Sequence, residues 1–140
     1  MKIKVIKFPH AGVEFKMPFR AHENDAGADV YAAMPVHLEP HQTAKIPLGF
    51  GLVLPDGLQA NIYPRTSLAS KGIVTELPPV DSGYRGEIHA ITTNVSDKPF
   101  IVPIGMRIGQ LVITPIIPAD FIDYDIKERG ESAFGSTGIM

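Results

Sequence analysis

The sequence of 140 residues contains no cysteine, which excludes disulfides, thiol chemistry and cysteine-ligated zinc. It also has no excess of positive charge, since 13 Lys and Arg residues stand against 15 Asp and Glu residues. This balance argues against a broad electrostatic grip on a nucleic acid polymer, but it leaves room for a small anionic ligand held by a few cations. The five histidines show no ligand-like spacing, so we expect no histidine metal site.

Long hydrophobic runs are missing too. No stretch approaches the ~18 apolar residues of a membrane span, and residues 1–7 lack the apolar run of a signal peptide. We therefore expect a cytoplasmic protein. With 44% hydrophobic residues in about one domain's length, the chain has enough apolar side chains to bury a core without a metal or a disulfide.

Thirteen prolines and thirteen glycines divide the sequence into short segments rich in Val, Ile, Leu and Phe. Such segments between turn residues predict strands, here at 2–7, 42–47, 50–54, 59–63, 85–94, 100–102 and 107–115. Only residues 67–72 have the character of a helical turn, because no window keeps a 3.6-residue apolar period. The pattern predicts an all-β fold, a compact barrel or a jelly-roll sandwich, that ends near residue 125.

Two of the polar segments between these strands offer a carboxylate, or an arginine beside hydroxyls. Asp29 lies among small and apolar residues, where it either caps a turn or has a functional role, orienting an arginine or receiving a hydrated magnesium ion. Farther along, a strand ends at a proline and is followed by Arg65, Thr66 and Ser67. These hydroxyls either cap a short helix or bind a phosphate together with the arginine.

Two further segments place charged residues beside a turn or within a strand. Asp81 precedes a Ser-Gly turn, and Tyr84 and Arg85 follow, so a carboxylate, a ring and a guanidinium can share one pocket edge. An aspartate in a turn is commonly structural, but one beside a phosphate can act as general base for a water. Arg107 and Gln110 interrupt an apolar strand at odd spacing, so we expect them on opposite faces, one in a buried ion pair and the other toward a ligand.

The end of the chain, residues 129–138, combines an arginine, an aromatic ring, hydroxyls and three glycines. Glycines let backbone N–H groups turn toward an anion. Ser136 and Thr137 add hydroxyls, Arg129 adds a fork suited to phosphate, and Phe134 offers a flat face for a base. The segment predicts a flap over a nucleotide phosphate chain, with a disordered terminus as the alternative.

In order and spacing, the five segments from residue 26 to residue 138 resemble the motifs of the trimeric dUTPase family, with residues 80–86 and 134–138 carrying much of the likeness. The resemblance implies a distorted jelly-roll, or β-clip barrel, over residues 1–125 and a flexible C-terminal arm over residues 126–140 that closes the active site. It also implies a homotrimer whose active sites are shared between subunits. The implied reaction is hydrolysis of dUTP to dUMP and pyrophosphate with Mg²⁺.

The resemblance also implies roles for single residues. Asp81 matches the base that activates water for attack on the α-phosphate, and Tyr84 matches the ring that packs under the deoxyribose and leaves no room for a 2′-hydroxyl. Asp29 matches a carboxylate that supports the metal and phosphate region, through water. Catalytic roles beside the base are implied for Arg65 and Gln110.

The remaining implied contacts are to substrate, and Phe134 among them is expected to stack on uracil. They fall on three parts of the chain: Thr66 and Ser67 at the phosphates; Thr75, Pro79, Val80 and His89 around the base; and Arg129, Phe134, Gly135, Ser136 and Thr137 in the arm.

The sequence departs from the family pattern at a few positions. Thr66 and Ser67 stand where Ser-Gly is common, Gly109 stands where alanine is usual, and Ala133 stands where glycine is usual. The family usually has a glycine near position 78 and reads uracil largely through backbone groups. Here Pro78 and Pro79 remove two backbone N–H donors, so the sequence by itself does not establish uracil as the base.

Two other functions stay open on the same scaffold. A dCTP deaminase, possibly bifunctional for dCTP and dUTP, needs a glutamate on the strand after the hairpin, but Ile91 occupies the corresponding position and no acid occurs from residue 88 to residue 95. A non-catalytic nucleotide-binding regulator is the other alternative, since fold does not determine function.

Overall fold

The computed structural model describes residues 1–10 and 13–126. This part of the chain forms strands with a single short helix. The elements are β1 (Lys4–Lys7), β2 (Ala28–Tyr31), β3 (Val36–Leu38), β4 (Thr43–Pro47), β5 (Phe50–Val53), β6 (Leu58–Pro64), α1 (Thr66–Ala69), β7 (Ile73–Val80), β8 (His89–Asn94), β9 (Phe100–Val102) and β10 (Arg107–Pro115).

Six strands form the main sheet in the order β2-β10-β6-β7-β8-β4, and every neighbouring pair is antiparallel. Two smaller antiparallel sheets pair β1 with β5 and β3 with β9. A twisted sheet of this width curls, so that one face encloses a core. The predicted all-β, jelly-roll class is confirmed, and no helix of the described residues is long and apolar enough to cross a membrane.

The core follows from the two-residue period of the strands. On β8, Ala90, Thr92 and Asn94 are buried, whereas the side chains at the alternate positions are only half-buried. Strands from all three sheets contribute apolar side chains to one cluster, whose fully buried members include Leu38, Ile46, Phe50, Leu52, Ile62, Val102 and Ile108. The same alternation turns the other side chains of β8 toward the outer face of the sheet.

Most predicted strands are found with small shifts at their ends, and 100–102 and 107–115 match β9 and β10. The predicted strand 85–94 is too long, because residues 85–88 belong to the connection before β8. Three observed strands, β2, β3 and β7, are not among the predicted ones. β7 escapes a sequence pattern because it contains two prolines, and it tolerates them because its register with β8 ends at Glu76, before the first proline.

Candidate active site

A cavity of about 380 Å³ opens where β7 and β8 separate. The two strands pair from Ile73 opposite Asn94 to Glu76 opposite Ile91. Beyond that point they diverge, and the cavity occupies the wedge between them. Its lining residues come from β7, from the connection to β8, from β8 itself and from β4: Lys45, Leu77, Pro78, Pro79, Val80, Asp81, Tyr84, Glu87, Ile88, His89 and Ile91.

Three of the residues predicted to surround the base line this cavity, namely Pro79, Val80 and His89. The two prolines of the β7 wall have no N–H group, so this wall offers at most the N–H groups of Leu77 and Val80 as backbone donors. The cavity is therefore mainly apolar on one side.

Asp81 and Tyr84 lie at the open end of the cavity, in the turn that follows β7. The Tyr84 N–H donates to the Asp81 carbonyl oxygen at 3.0 Å, and the Tyr84 hydroxyl donates to the Glu87 carbonyl oxygen at 3.0 Å. The ring lies against the backbone of Gly86, where an added Cβ would stand 2.5 Å from the Tyr84 hydroxyl oxygen. Glycine at position 86 thus allows the ring to take this position.

Arg85 does not share the pocket edge with Asp81 and Tyr84. Its guanidinium donates to the carbonyl oxygens of Ser82 and Tyr84 and so ties down the turn. The expectation of a guanidinium at the cavity is wrong at this position because satisfying backbone acceptors turns the side chain away from the cavity.

Sequence reasoning did not include Glu87 among the site residues. Its carboxylate accepts the Gly49 N–H at 3.1 Å and lies 3.1 Å from His10 Nε2, and the side chain is only 14% exposed. These contacts join the N-terminal segment and the β4–β5 turn to the cavity wall. No local pattern signals such a role, because His10 and Gly49 are remote in sequence.

Lys45 is a second lining residue that sequence reasoning missed. It lies on β4 opposite Ile91, and β4 is the edge strand next to β8 in the main sheet. Only the strand order brings this lysine to the cavity.

The structure does not bring Thr75 to the site. Alternation along β7 turns its side chain into the core, where it is 1% exposed and its hydroxyl lies 2.9 Å from the Thr92 hydroxyl. The side chain therefore does not face the cavity, and the implied substrate contact of Thr75 stays a prediction.

A second polar cluster forms where β10 lies between β2 and β6. Gln110 is opposite Asp29 on β2 and opposite Tyr63 on β6. An Arg107 Nη1 lies 3.4 Å from Asp29 Oδ2, and Arg65 donates to the Arg107 carbonyl oxygen at 2.7 Å. Four of the predicted polar residues thus lie together, and we call them the cation cluster: Asp29, Arg65, Arg107 and Gln110.

The prediction that Arg107 and Gln110 face opposite sides is wrong. The register of β10 with β2 shifts between Arg107 and Gly109, and this bulge changes the alternation so that both side chains are exposed while Ile108 and Leu111 are buried. The ion pair with Asp29 is also half-exposed at the arginine rather than buried, since the Arg107 side chain is 55% exposed.

Gly109, which departs from the family pattern, lies at the same bulge. An added Cβ would stand 2.8 Å from Ile62 Cγ2 and 3.1 Å from the Tyr63 carbonyl oxygen. Close packing against β6 therefore accounts for glycine at this position.

Thr66 and Ser67 begin α1, and both are exposed. The interpretation of either hydroxyl as the N-cap is wrong, because Arg65 occupies the N-cap position and no side chain caps the helix there. The helix has four residues, so its dipole is small. This segment can contact a phosphate through the Thr66 and Ser67 hydroxyls, which lie next to Arg65.

The cavity and the cation cluster lie at different places on one chain. Val80, next to Asp81, is opposite Ala60 on β6, whereas Arg65 follows the other end of that strand. At a rise of ~3.3 Å per residue, Ala60 and Arg65 are about 16 Å apart. None of Arg65, Thr66, Ser67 and Gln110 lines the cavity.

Within the described ranges, no group of three or more His, Asp or Glu side chains forms a metal cage. Mg²⁺ commonly keeps its waters and binds through one or two carboxylates and substrate phosphates, so it does not need such a cage. Asp29, paired with Arg107, suits contact through water better than direct ligation. The predicted arm residues Arg129, Phe134, Gly135, Ser136 and Thr137 lie outside the described residues.

Solved structures with a similar fold include dUTPases. A point mutant of the Staphylococcus bacteriophage 80alpha dUTPase, determined with dUpNHpp, has a TM-score of 0.79 and 28% identity and covers 99% of each chain. A mutant dUTPase from phage phi11 of S. aureus, described with a structural Mg(II) ion, has a TM-score of 0.80 over 89% of this chain and 97% of that chain. Its identity of 23% supports the fold alone.

Sequence comparison gives the family. The model of the dUTPase family matches residues 13–138, and the chain therefore belongs to that family. The deoxyuridine 5′-triphosphate nucleotidohydrolase of Clostridium tetani is 39% identical over 99% of this chain and 96% of its own length. The enzyme of the same name from Picosynechococcus sp. is 42% identical over 87% of this chain and 90% of its own length.

Proposed function

We propose that this protein is a dUTP diphosphatase that hydrolyses dUTP to dUMP and pyrophosphate. The observation that carries the proposal is the cavity between β7 and β8, which has Asp81 and Tyr84 at its open end. The cavity suits a nucleoside, because its walls are mainly apolar and a few polar groups converge on it. Membership of the dUTPase family supports the same reaction.

Asp81 is proposed as the general base. Its carboxylate accepts a proton from a water whose oxygen attacks the α-phosphorus. The bond from that phosphorus to the oxygen bridging to the β-phosphate breaks, and pyrophosphate leaves with the bond's electrons. Tyr84 is proposed to pack under the deoxyribose, with its ring held by the hydrogen bond to the Glu87 carbonyl oxygen.

Arg65, Thr66, Ser67 and Gln110 are proposed to bind the phosphates. Positioned cations and donors provide most of the catalysis in phosphoryl transfer, because the phosphate chain is highly charged. These residues lie apart from the cavity: along β6, Arg65 lies about 16 Å from Ala60, which is opposite Val80, and Tyr63, which is opposite Gln110, lies about 10 Å from Ala60. A second copy of the chain is therefore proposed to present them to the cavity, as in a homotrimer with shared active sites.

Mg²⁺ is proposed as the cofactor, with Asp29 contributing through water. When bound, the ion neutralises charge on the phosphate oxygens and helps to hold the triphosphate in one geometry. Arg107 beside Asp29 keeps that carboxylate in place near Gln110.

The C-terminal residues 126–140 are proposed to form an arm that closes the site, with the barrel domain ending at residue 125. In support, the last strand ends at Pro115, and the large apolar side chains that follow it, such as Ile117 and Phe121, are almost fully exposed. The cytoplasmic location stays a prediction.

The test is a nucleotide panel with Mg²⁺ that contains dUTP, dCTP, dTTP and UTP and follows both pyrophosphate and ammonia. We expect pyrophosphate from dUTP and no ammonia. Ammonia from dCTP would support the deaminase alternative, although Ile91 occupies the position where that activity needs a glutamate and Glu87 is engaged by Gly49 and His10. Tight binding of dUTP without turnover would support the regulator.

A further inference from the structure

The cavity has a charged residue, Lys45, at the end where β7 and β8 are last paired, which we call its closed end. β7 and β8 are last paired at Glu76 and Ile91, and Lys45 lies opposite Ile91 on the other side of β8. Because directly opposite residues share a face of a sheet, the Lys45 and Ile91 side chains point to the same outer face. Lys45 and Asp81 therefore mark the two ends of the cavity.

Apart from Asp81, which is proposed as the general base, the other polar side chains that line the cavity have partners. The Tyr84 hydroxyl donates to the Glu87 carbonyl oxygen, the Glu87 carboxylate contacts Gly49 and His10, and His89 Nδ1 lies 3.3 Å from the Glu87 carbonyl oxygen. Among the described residues, no hydrogen bond or ion pair engages the ammonium group of Lys45. Lys45 thus has all three of its donors available to a ligand.

The proximity of Glu76 is the main competing explanation for this lysine. Glu76 and Lys45 flank Ile91 on the same face, from strands on either side of β8. Their charged groups are farther apart than an ion pair allows, since among the described residues no salt bridge or hydrogen bond joins these two side chains. An exposed pair of this kind would in any case contribute little.

We propose that Lys45 is a specificity-determining residue that donates a hydrogen bond to the C4 carbonyl oxygen of the base; this rests on the function proposed above. The sugar and phosphates lie toward Asp81, so the edge of the pyrimidine opposite its glycosidic nitrogen lies at the closed end. That edge carries an oxygen in uracil and an amino group in cytosine. An ammonium group donates and never accepts, so it favours the oxygen and opposes the amino group.

Pro78 and Pro79 are the reason that Lys45 matters for selection of the base. Uracil has two carbonyl acceptors, and the β7 wall lacks the N–H groups of Pro78 and Pro79. A side-chain donor from β4 replaces what the backbone of β7 does not supply. Selection of uracil in this chain then depends on side-chain identity at position 45.

The experiment combines a variant with a substrate analogue. Lys45→Met keeps the apolar stem and removes the charge, and the analogue is 4-thio-dUTP, in which sulfur, a poor hydrogen-bond acceptor, replaces the C4 oxygen while N3 keeps its hydrogen. We expect Lys45→Met to lower kcat/KM for dUTP about 10- to 100-fold, the change typical of losing a charge-assisted hydrogen bond. The preference for dUTP over dCTP should fall by a similar factor.

The analogue should lower kcat/KM of the wild-type enzyme by a similar factor. It should lower kcat/KM of Lys45→Met little further, because both changes remove the same hydrogen bond. Lys45→Arg should retain part of the selectivity, and Lys98→Met, at an exposed lysine away from the cavity, should behave as wild type. If Lys45→Met and the analogue each lowered kcat/KM by an independent factor, so that the two factors multiplied, the assignment would be overturned. An unchanged preference for dUTP over dCTP in Lys45→Met would also overturn it. If the wild-type protein itself does not hydrolyse dUTP, the proposed function fails instead, and the two failures are distinguishable.

Discussion

Asp81 and Tyr84 lie at the open end of the cavity, and we propose different roles for them. Asp81 is exposed and lies in a turn whose backbone hydrogen bond to Tyr84 holds its position. Tyr84 is placed by a glycine and by a carbonyl acceptor. The carboxylate is available for proton transfer, whereas the ring is fixed for shape recognition.

Asp81→Asn should bind dUTP and fail to hydrolyse it. The amide keeps the shape of the side chain but cannot accept the proton of water, so kcat should fall at least about 100-fold. Pyrophosphate release measures the turnover, and calorimetry measures the binding of the nucleotide. Asp97→Asn, at an exposed carboxylate near His41, is the matched control. Unaltered turnover in Asp81→Asn would exclude this residue as the base.

Gly86→Ala should weaken substrate discrimination at the sugar. The added Cβ would stand 2.5 Å from the Tyr84 hydroxyl oxygen and 2.7 Å from Cζ, so the ring must move and its bond to the Glu87 carbonyl oxygen is lost. We expect kcat/KM for dUTP to fall about tenfold, the effect of one hydrogen bond and some packing, and the preference for dUTP over UTP to narrow.

The control for Gly86→Ala is Gly83→Ala, since nothing lies within 4 Å of a Cβ added at position 83. Equal effects of the two alanines on the dUTP/UTP preference would show that the ring position does not depend on Gly86.

At the scale of elements, β7 has two different halves. Its first half pairs with β8 and turns Thr75 into the core, whereas its second half contains Pro78 and Pro79 and leaves β8. One strand therefore anchors the sheet at one end and forms a cavity wall at the other. The physical cause is the loss of two N–H donors, which favours the end of the ladder.

Thr75→Val should destabilise the fold without affecting the substrate. It leaves the Thr92 hydroxyl buried with no partner from β7, which should lower the free energy of unfolding by about 1–3 kcal/mol. Adding Thr92→Val should cost less than the sum of the single changes, because both ends of the bond are then apolar. Urea unfolding measures this cycle.

The same Thr75→Val protein should keep its KM for dUTP within about twofold, a range typical of changes remote from a site. A large rise in KM would instead show that Thr75 contributes to substrate binding.

On the scale of the whole molecule, two half-sites lie on one chain without meeting. The cavity that we propose for the nucleoside lies at one end of β6, and the cation cluster lies at the other end. We therefore propose that a nucleotide in the cavity obtains its phosphate contacts from a second copy of the chain, a source that needs no other protein. Symmetric assembly supplies such contacts to every copy alike.

Mixing two inactive variants should restore activity. Asp81→Asn damages the cavity half and Gln110→Ala damages the phosphate half, so each homogeneous assembly should be nearly inactive. After joint unfolding and refolding in equal amounts, about a quarter of the sites should combine two intact halves. Each variant refolded alone is the control. Activity no greater than that of the controls would place the whole site within one chain.

Much of the fold was determined by the sequence itself, because turn residues and apolar alternation are local signals. They identified β9 and β10 to their ends and the site turn around Asp81. The residues of the cavity that lie close to Asp81 in sequence, such as Val80 and Tyr84, were equally accessible to sequence reasoning.

Only the tertiary structure decided the rest, because it depends on strand order and register. The bulge in β10 put Arg107 and Gln110 on one face, and alternation along β7 turned the Thr75 side chain into the core. Lys45 and Glu87 reached the cavity through pairing and contacts between segments far apart in the chain. A one-residue change in register reverses the face of every side chain beyond it, and no local pattern in this sequence specifies where such a change occurs.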